Sequence, residues 1–142
     1  MTSRPPVIVW FRDDLRLSDH PALHAAAEAG AGVICLYVFD EESRALRRLG
    51  GAARWWLAQS LRALAANLAK AGGQLVLRKG EAAKVVAEVA REAGAGAVFW
   101  NEIAQAPHQA VAGQLAAALD AIGVRSQTFA GDLLIHPQDI RN

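Results

Sequence analysis

The amino-acid sequence predicts an α/β fold, namely a doubly wound, five-stranded parallel sheet of strand order 3-2-1-4-5 with helices on both faces. Short apolar segments rich in β-branched and aromatic residues alternate along the chain with longer segments of helical periodicity. The loops between these segments are short, which is typical of βαβ units with right-handed crossovers. The length of 142 residues corresponds to one domain that can bury its own core.

The first βα unit opens the chain. Val7–Phe11 is an unbroken apolar run, which predicts a buried strand. A charged loop follows it, with four charged residues in five positions: Arg12, Asp13, Asp14 and Arg16. Ser18 and Asp19 are typical N-cap residues, and Pro21 is typical of the first helical position, so the first helix is predicted to start there and to continue through 22–29.

The second unit contains the longest helix. Val33–Phe39 is predicted to be a second buried strand, and a polar crossover with several arginines begins at Asp40. A long helix is predicted after the glycines at 50–51, and the glycines at 72–73 end it. Its apolar stripe consists of leucines that recur at helical spacing: Leu57, Leu61, Leu64 and Leu68.

The third unit is short. Residues 74–79 are predicted to form the third strand and residues 81–93 the third helix, with Gly94 after its end. Lys84 and Glu88 are spaced as an exposed i,i+4 pair. The face that packs on the sheet is predicted from the apolar spacing: Val85, Val86, Val89 and Ala93.

The last unit completes the sheet. Residues 97–100 are predicted to be the fourth strand, 101–106 a loop, and Pro107 the start of the fourth helix. Residues 124–129 are predicted to be the fifth strand, and 133–137 an extended tail. The inner face of the fourth helix is predicted from its apolar spacing: Val111, Leu115, Ala118, Leu119 and Ile122.

The composition excludes several classes of protein. With 53% hydrophobic and 20% charged residues the chain is not expected to be disordered, and a net charge of +1 gives no electrostatic footprint for nucleic acid. Cys35 is the only cysteine, which excludes a disulfide framework and is typical of a small core residue. Neither a signal peptide nor an apolar stretch of the ~18 residues that span a membrane is found, so a cytoplasmic protein without a membrane partner is expected.

The predicted strand order reverses between the first and fourth strands, and ligands of open α/β sheets bind at that point. Arg12 and Asp14 follow the first strand and Asn101 follows the fourth, so these three candidate binding residues are expected to flank one crevice. Two roles stay open for the charged loop. Its charges can pair with each other and with N–H groups of the first helix, or they can contact a ligand directly.

A second candidate group lies one strand away. Phe39 and Asp40 end the second strand, and Arg54 lies at the start of the second helix. A planar conjugated ligand needs aromatic or aliphatic walls and one or two polar anchors, which is what these three side chains offer. In the alternative interpretation, Trp55 or Trp56 is simply a core residue and Arg54 is a surface cation.

Several chemistries have no signature in the sequence. No glycine stands directly after the first strand, which disfavours both the dinucleotide fingerprint and a Walker loop. No nucleophile elbow, Cys/His pairing or paired carboxylates are found, so no catalytic residue is predicted. No metal is expected, because the histidines are scattered without the spacing of a metal site: His20, His24, His108 and His136.

The segment WFRDDLRLSDHPAL at positions 10–23 resembles the opening signature of the DNA photolyase/cryptochrome family. Further stretches are similar to that family in order and spacing: VFD at 38–40, GGAARWWL at 50–57, LVLRKG at 75–80, VFWN at 98–101 and FAGDLL at 129–134. The resemblance covers essentially the whole chain. It implies that residues 1–142 are the amino-terminal α/β domain of a longer protein, whose helical, FAD-binding carboxy-terminal domain is absent from this chain.

The resemblance implies a function for the longer protein. That protein is expected to be a deoxyribodipyrimidine photolyase, a carbon-carbon lyase that repairs pyrimidine dimers with light, and this fragment is expected to be inactive alone. The fragment would hold an antenna chromophore that passes excitation to FAD in the other domain, and DNA would bind only through the full-length enzyme. Three alternatives stay open: a cryptochrome-type photoreceptor domain, a free-standing adenine-nucleotide-binding α/β module, and a scaffold domain whose pocket holds nothing.

The resemblance also implies which residues hold the antenna chromophore: Arg12, Asp14, Phe39, Asp40, Arg54 and Asn101. Pro107 and His108 stand where folate-binding members carry an Asn-Glu pair, so a deazaflavin or flavin antenna is expected rather than methenyltetrahydrofolate. The tryptophans are expected to pack in the core, since no motif assigns them to an electron-transfer chain: Trp10, Trp55, Trp56 and Trp100. An exposed apolar face is expected where the helical domain would pack.

Overall fold

The computed structural model describes residues 5–12, 14–15, 17, 20–29, 32–40, 51–71, 73 and 75–130. Strands and helices alternate along these residues: β1 (Val7–Phe11), α1 (Pro21–Glu28), β2 (Val33–Phe39), α2 (Gly51–Lys70), β3 (Leu75–Lys79), α3 (Ala82–Ala93), β4 (Ala97–Glu102), α4 (Ala106–Ala121) and β5 (Arg125–Ala130). The predicted crossover at 41–50 and tail at 133–137 lie outside the described residues.

The strands form one parallel sheet in the order β3-β2-β1-β4-β5, which confirms the predicted topology. Central β1 pairs with β2 on one side, from Val7 opposite Val33, and with β4 on the other, from Val7 opposite Ala97. All five residues of β1 are buried, as expected for a strand covered on both faces. The carboxyl ends of β1 and β4 therefore lie side by side at one edge of the sheet.

Helices cover the two faces separately. On one face, α3 and α4 pack on alternate strand residues that include Ile8 and Trp10. On the other face, α1 and the second half of α2 pack on Val9 and Phe11. Because successive strand side chains point to opposite faces, β1 supplies both cores.

Helix α1 begins at Pro21 as predicted, but its N-cap residue differs from the prediction. His20 is the N-cap residue, and its Nδ1 accepts a hydrogen bond from the backbone N–H of Leu23 at 3.1 Å. Ser18 and Asp19, the predicted caps, lie outside the described residues. An imidazole nitrogen without a proton is an acceptor, so it can satisfy a first-turn N–H as a hydroxyl or carboxylate does.

The end of β4 was also predicted wrongly. Asn101 and Glu102 belong to the strand rather than to a loop, because their pairing with Phe129 and Ala130 of β5 extends the ladder. Strand β5 correspondingly runs one residue later than predicted, to Ala130. Pairing between strands, which no local pattern displays, sets these ends.

At the ends of two helices, a residue predicted to face the core is exposed instead. Ile122 follows α4 as its C-cap residue with φ −106°, so it leaves the helical periodicity and is 41% exposed. Ala93 is the last residue of α3 and is exposed, since the chain turns there at Gly94, whose φ of +67° favours glycine. The central positions were predicted correctly: Val86, Val89, Val111, Leu115 and Leu119 are buried.

The two halves of α2 differ in burial. Leu64 and Leu68 are buried, and Leu57 and Leu61 are partly buried, which confirms the predicted leucine stripe. No side chain described between positions 52 and 63 is fully buried. The helix is therefore anchored through its second half. Within the described residues, no helix is both long and apolar enough to cross a membrane.

Candidate functional site

Three predicted site residues meet at the carboxyl ends of β1 and β4. Arg12 directly follows β1, Asp14 lies two residues later, and Asn101 is the penultimate residue of β4. All three side chains are buried, as is His20 at the start of α1. The doubly wound topology thus brings together residues that are separated by up to 89 positions in the sequence, from 12 to 101.

Asn101 links the strand ends to α1. Its Nδ2 donates to Asp14 Oδ2 at 2.6 Å, and its Oδ1 accepts from the backbone N–H of Ala22 at 3.0 Å. The backbone N–H of Arg12 donates to Asp14 Oδ1 at 2.9 Å. One amide thereby satisfies a buried carboxylate and a first-turn N–H of a helix at the same time.

His20 completes this network. Its Nε2 lies 3.1 Å from Asp14 Oδ2, and its side chain is fully buried against the ring of Phe11. Since Nδ1 accepts from Leu23, the proton of the neutral imidazole resides on Nε2 and is donated to Asp14. Sequence analysis singled out Asp14 and Asn101 but missed His20; its place in the segment at 10–23 was the available signal.

The pKa of Asp14 reflects these contacts. Burial by itself raises the pKa, but the hydrogen bonds from His20, the Arg12 backbone and Asn101 outweigh it. The net result is a pKa below the ordinary value, so Asp14 is a carboxylate at neutral pH. A carboxylate that accepts three hydrogen bonds within a buried site has a structural role.

The side chain of Arg12 contacts α4. Its Nη2 donates to the backbone carbonyl of His108 at 2.8 Å, and its guanidinium carbon lies 4.5 Å from the centre of the Trp10 ring. The guanidinium is thus held between an aromatic face and a carbonyl. Arg12 and Asp14 both bind backbone groups, but not those of the first helix that were predicted: Asp14 accepts from the Arg12 N–H and Arg12 donates to the His108 carbonyl. The first-helix N–H of Ala22 is bound by Asn101 instead.

The second predicted group lies at the carboxyl end of β2. The guanidinium carbon of Arg54 lies 5.6 Å from the centre of the Phe39 ring, so these residues form one cation–aromatic pair. Asp40 Oδ2 accepts from the backbone N–H of Ala82 at 2.9 Å, which caps the start of α3. The structure therefore joins β2, α2 and α3 at this position.

Trp55 and Trp56 are not core residues. They are 56% and 66% exposed, and their rings pack edge to face with centres 5.0 Å apart. Core packing was predicted correctly for Trp10 and Trp100, which are buried and 5.5 Å apart. In the first half of α2, which carries Trp55 and Trp56, none of the described side chains is fully buried.

A cavity of about 200 Å³ lies on the opposite side of this sheet edge, between β4, β5 and α4. Its lining consists of both apolar and polar side chains: Trp100, Ile103, Ala112, Arg12, Glu102, Gln109 and Thr128. The indole Nε1 of Trp100 is buried and has no hydrogen-bond partner among the described residues. Sequence analysis did not identify this cavity.

The described residues contain one cysteine, Cys35, and it is buried. Burial raises the pKa of the Cys35 thiol to about 11, so the thiol stays protonated and a poor nucleophile at neutral pH. In the part of the chain that the structure describes, no cluster of three or more His, Cys, Asp or Glu residues is placed to hold a metal ion.

The family model for DNA photolyase matches residues 7–142. A deoxyribodipyrimidine photo-lyase of Agrobacterium fabrum is 43% identical over 136 residues, which cover 96% of this chain and 28% of that protein. A cryptochrome DASH of Synechocystis is 31% identical over 141 residues, covering 96% of this chain and 29% of that protein. The chain thus spans less than a third of the length of these relatives.

Solved structures show the same relationship. The crystal structure of a bacterial class III photolyase from Agrobacterium tumefaciens superposes with a TM-score of 0.88 at 41% identity, covering 99% of this chain and 29% of that chain. An archaeal photolyase from Sulfolobus tokodaii, solved with two FAD molecules that imply a novel light-harvesting cofactor, superposes with a TM-score of 0.81 at 25% identity. It covers 96% of this chain and 32% of that chain.

Proposed function

The chain belongs to the DNA photolyase family, and from this premise we propose that it is the amino-terminal, antenna-chromophore-binding domain of a deoxyribodipyrimidine photolyase. The full-length enzyme would repair pyrimidine dimers with light, using FAD in a carboxy-terminal helical domain. The 43% identity to the Agrobacterium photolyase, against 31% to the Synechocystis cryptochrome, favours the repair enzyme over the photoreceptor. The domain alone would have no repair activity, and DNA would bind only to the full-length protein.

The proposed chromophore site rests on one observation, the Arg54–Phe39 pair at the carboxyl end of β2. An aromatic wall and a cation anchor a planar conjugated ring that carries partial negative charge. Trp55 and Trp56 add exposed aromatic surface on the same helix. An antenna chromophore bound there would absorb light and pass excitation to FAD, while the domain's own residues hold and orient its ring.

The buried residues that were predicted to bind the chromophore also hold together the elements around this site. Asp14 and Asn101 hold the start of α1 against the end of β4, and Arg12 holds α4 through the His108 carbonyl. Asp40 fixes the end of β2 to the start of α3. We expect these four residues to position the pocket, since rigid supports are what make a binding site precise.

We expect a flavin or deazaflavin antenna. The purified chain would be mixed separately with FMN, an 8-hydroxy-5-deazaflavin and methenyltetrahydrofolate, then desalted, and its absorption spectrum recorded. Retention of a flavin or deazaflavin band is the expected result. Arg54→Ala should weaken that binding about 5- to 10-fold, because the guanidinium proposed to anchor the chromophore ring is lost. Arg62→Ala, an exposed arginine of the same helix, is the matched control and should have no effect.

Retention of the folate alone would contradict the antenna assignment, and retention of none would favour a scaffold domain. The cryptochrome alternative needs the full-length protein, with light-driven repair of a cyclobutane dimer in duplex DNA as its measurement. Repair would establish the photolyase, whereas a flavin-loaded protein without repair would identify the photoreceptor. This second experiment does not depend on which antenna is bound.

A further inference from the structure

The carboxyl ends of β2 and β3 leave apolar side chains uncovered on one face of the sheet. Tyr37 and Leu77 are register partners, as are Phe39 and Lys79, so all four side chains project from the same face. This is the face that α2 covers, since Tyr37 packs against the core on that side. Phe39 is only partly buried, however, and Leu77 is 52% exposed. Phe39 and Leu77 thus form an apolar patch that α2 does not fully cover.

Two cations border the Phe39–Leu77 patch. The guanidinium carbon of Arg54 lies 5.6 Å from the centre of the Phe39 ring. Lys79 is exposed and stands beside Phe39 on the neighbouring strand, where strands are about 4.8 Å apart. The backbone N–H of Gly80 donates to the Phe39 carbonyl at 3.1 Å, which continues this pairing to the ends of both strands. The ion pairs between described residues do not involve Lys79.

The acidic residues nearest to these strand ends in the sequence belong to the start of α3. Asp40 directly follows β2, and its Oδ2 accepts from the backbone N–H of Ala82 at 2.9 Å. Glu81, the first acidic residue after β3, is the N-cap residue of the same helix. Helix α3 packs on the opposite face of the sheet from α2. An anion that approaches the Phe39–Leu77 patch from the α2 side therefore meets the two cations.

The charges of the chain are unevenly distributed along it. Residues 43–80 contain eight Arg and Lys and no Asp or Glu, whereas the whole chain contains 15 and 14. The net charge of +1 thus conceals one strongly positive segment, which includes α2 and β3. A surface of one sign raises the local concentration of ligands of the opposite sign. The cations that the structure describes in this segment are all exposed: Arg54, Arg62, Lys70, Arg78 and Lys79.

We propose that the antenna site selects a flavin with an anionic phosphate tail, and that Lys79 is the residue that determines this selection. Phe39 and Arg54 hold the ring, and the Lys79 ammonium binds the phosphate. A lysine ammonium on its flexible stem is a point charge suited to phosphate. A flavin without the phosphate makes the ring contacts alone. The inference rests on the proposed antenna function and adds to it the charge of the ligand.

FMN and riboflavin are the probes, because they share one ring system and differ only in the phosphate. Each is titrated with the purified chain, and binding is followed by the flavin fluorescence. At low ionic strength FMN should bind about 10-fold more tightly than riboflavin. This ratio should shrink in about 0.5 M NaCl, since salt screens exposed charges, while the riboflavin affinity changes little. Equal affinities at low ionic strength would overturn the proposal.

Matched variants separate the phosphate contact from the ring contact. Lys79→Gln should weaken FMN binding about 3- to 5-fold and leave riboflavin binding unchanged, which also shows that the variant is folded. Arg54→Ala should weaken the binding of both flavins. Lys70→Gln makes the same charge change at an exposed lysine about 24 Å further along α2 and should be silent. If Lys79→Gln leaves FMN binding unchanged, or weakens it no more than Lys70→Gln does, Lys79 does not hold the phosphate.

Failure of this inference is distinguishable from failure of the antenna function. If FMN and riboflavin bind equally well, the domain still holds a flavin and only the selection for phosphate is wrong. If neither flavin binds but the chain retains the 8-hydroxy-5-deazaflavin, the antenna function stands and the phosphate-bearing flavin is excluded. If the chain retains no chromophore at all, both proposals are wrong.

Discussion

Buried polar residues at the switch point act as structural ties between distant parts of the chain. Asp14, His20 and Asn101 are buried together, and each makes at least two of the hydrogen bonds described above. A buried polar group that loses its partner costs about 1–3 kcal/mol, so the three residues depend on one another. Asp14 is the centre of the network because all its partners donate to it.

Asp14→Asn is expected to lower stability at neutral pH by about 1–3 kcal/mol, since the amide cannot replace a buried carboxylate that accepts from three donors. The pKa of Asp14 is lowered in the folded state. Its stabilising contribution is therefore complete above the ordinary aspartate pKa and is lost as the pH falls through the folded value. Urea unfolding at a series of pH values should show the gap between wild type and variant closing in acid.

The control for this pH profile is Asp120→Asn, an exposed aspartate on α4. It should leave both the stability at neutral pH and the shape of the profile unchanged. A stability gap for Asp14→Asn that stays constant from neutral to strongly acidic pH would show that the carboxylate charge contributes nothing.

At the scale of the elements, side chains at strand ends hold the helices that follow elsewhere in the chain. Asp40 at the end of β2 caps α3, which begins more than forty residues later, through the backbone N–H of Ala82 at 2.9 Å. Glu81, the N-cap residue of α3 itself, makes no side-chain capping bond. A helix whose own cap residue is unused is thereby fixed to the sheet from outside.

Asp40→Ala should reduce the free energy of unfolding by about 1 kcal/mol, the usual cost of losing a helix cap. Asp40→Asn retains a side-chain oxygen that can accept from Ala82 and should recover most of that loss. Glu81→Ala is the matched control and should be nearly neutral. Thermal unfolding followed by circular dichroism measures all three. Equal losses for the alanine and asparagine changes would rule out capping as the contribution of Asp40.

At the scale of the whole molecule, apolar surface is unevenly distributed. The core side chains of both sheet faces are buried, but Trp55, Trp56 and Leu77 are each more than half exposed. Exposed pairs of large aromatic side chains mark interaction surfaces more often than random positions do. Trp55 and Trp56 form one exposed aromatic pair on α2, and the packing of a helical domain against it stays a prediction.

Replacing both Trp55 and Trp56 by serine should leave the stability within about 0.5 kcal/mol of wild type, because neither side chain is part of the core. The same change should reduce self-association at high protein concentration, measured by sedimentation equilibrium. Trp10→Ser is the contrasting variant and should unfold the chain, since Trp10 is 4% exposed. If the wild-type chain stays strictly monomeric at high concentration, the exposed Trp55–Trp56 pair does not mediate self-association.

Local patterns in the sequence determine a large part of this structure. Alternation of apolar strands with amphipathic helices was sufficient for the element order and the parallel sheet. Single residues were sufficient to predict two helix boundaries: Pro21 marks the start of α1, and Gly94 follows the end of α3. These features are local because periodicity, fixed proline φ and the left-handed freedom of glycine depend on neighbouring residues alone.

Other features were decided only by tertiary structure. Three contacts join separate parts of the chain: the Arg54–Phe39 pair, the cap that Asp40 provides for α3, and the network of Asp14, His20 and Asn101. The exposure of Trp55 likewise depends on what packs against α2. Helical periodicity could not predict whether Trp55 is buried, because a helix face is buried only if another element packs against it. The sequence by itself thus determined the elements, their order and the family, whereas packing decided which side chains became partners, because a partner is chosen by proximity in space.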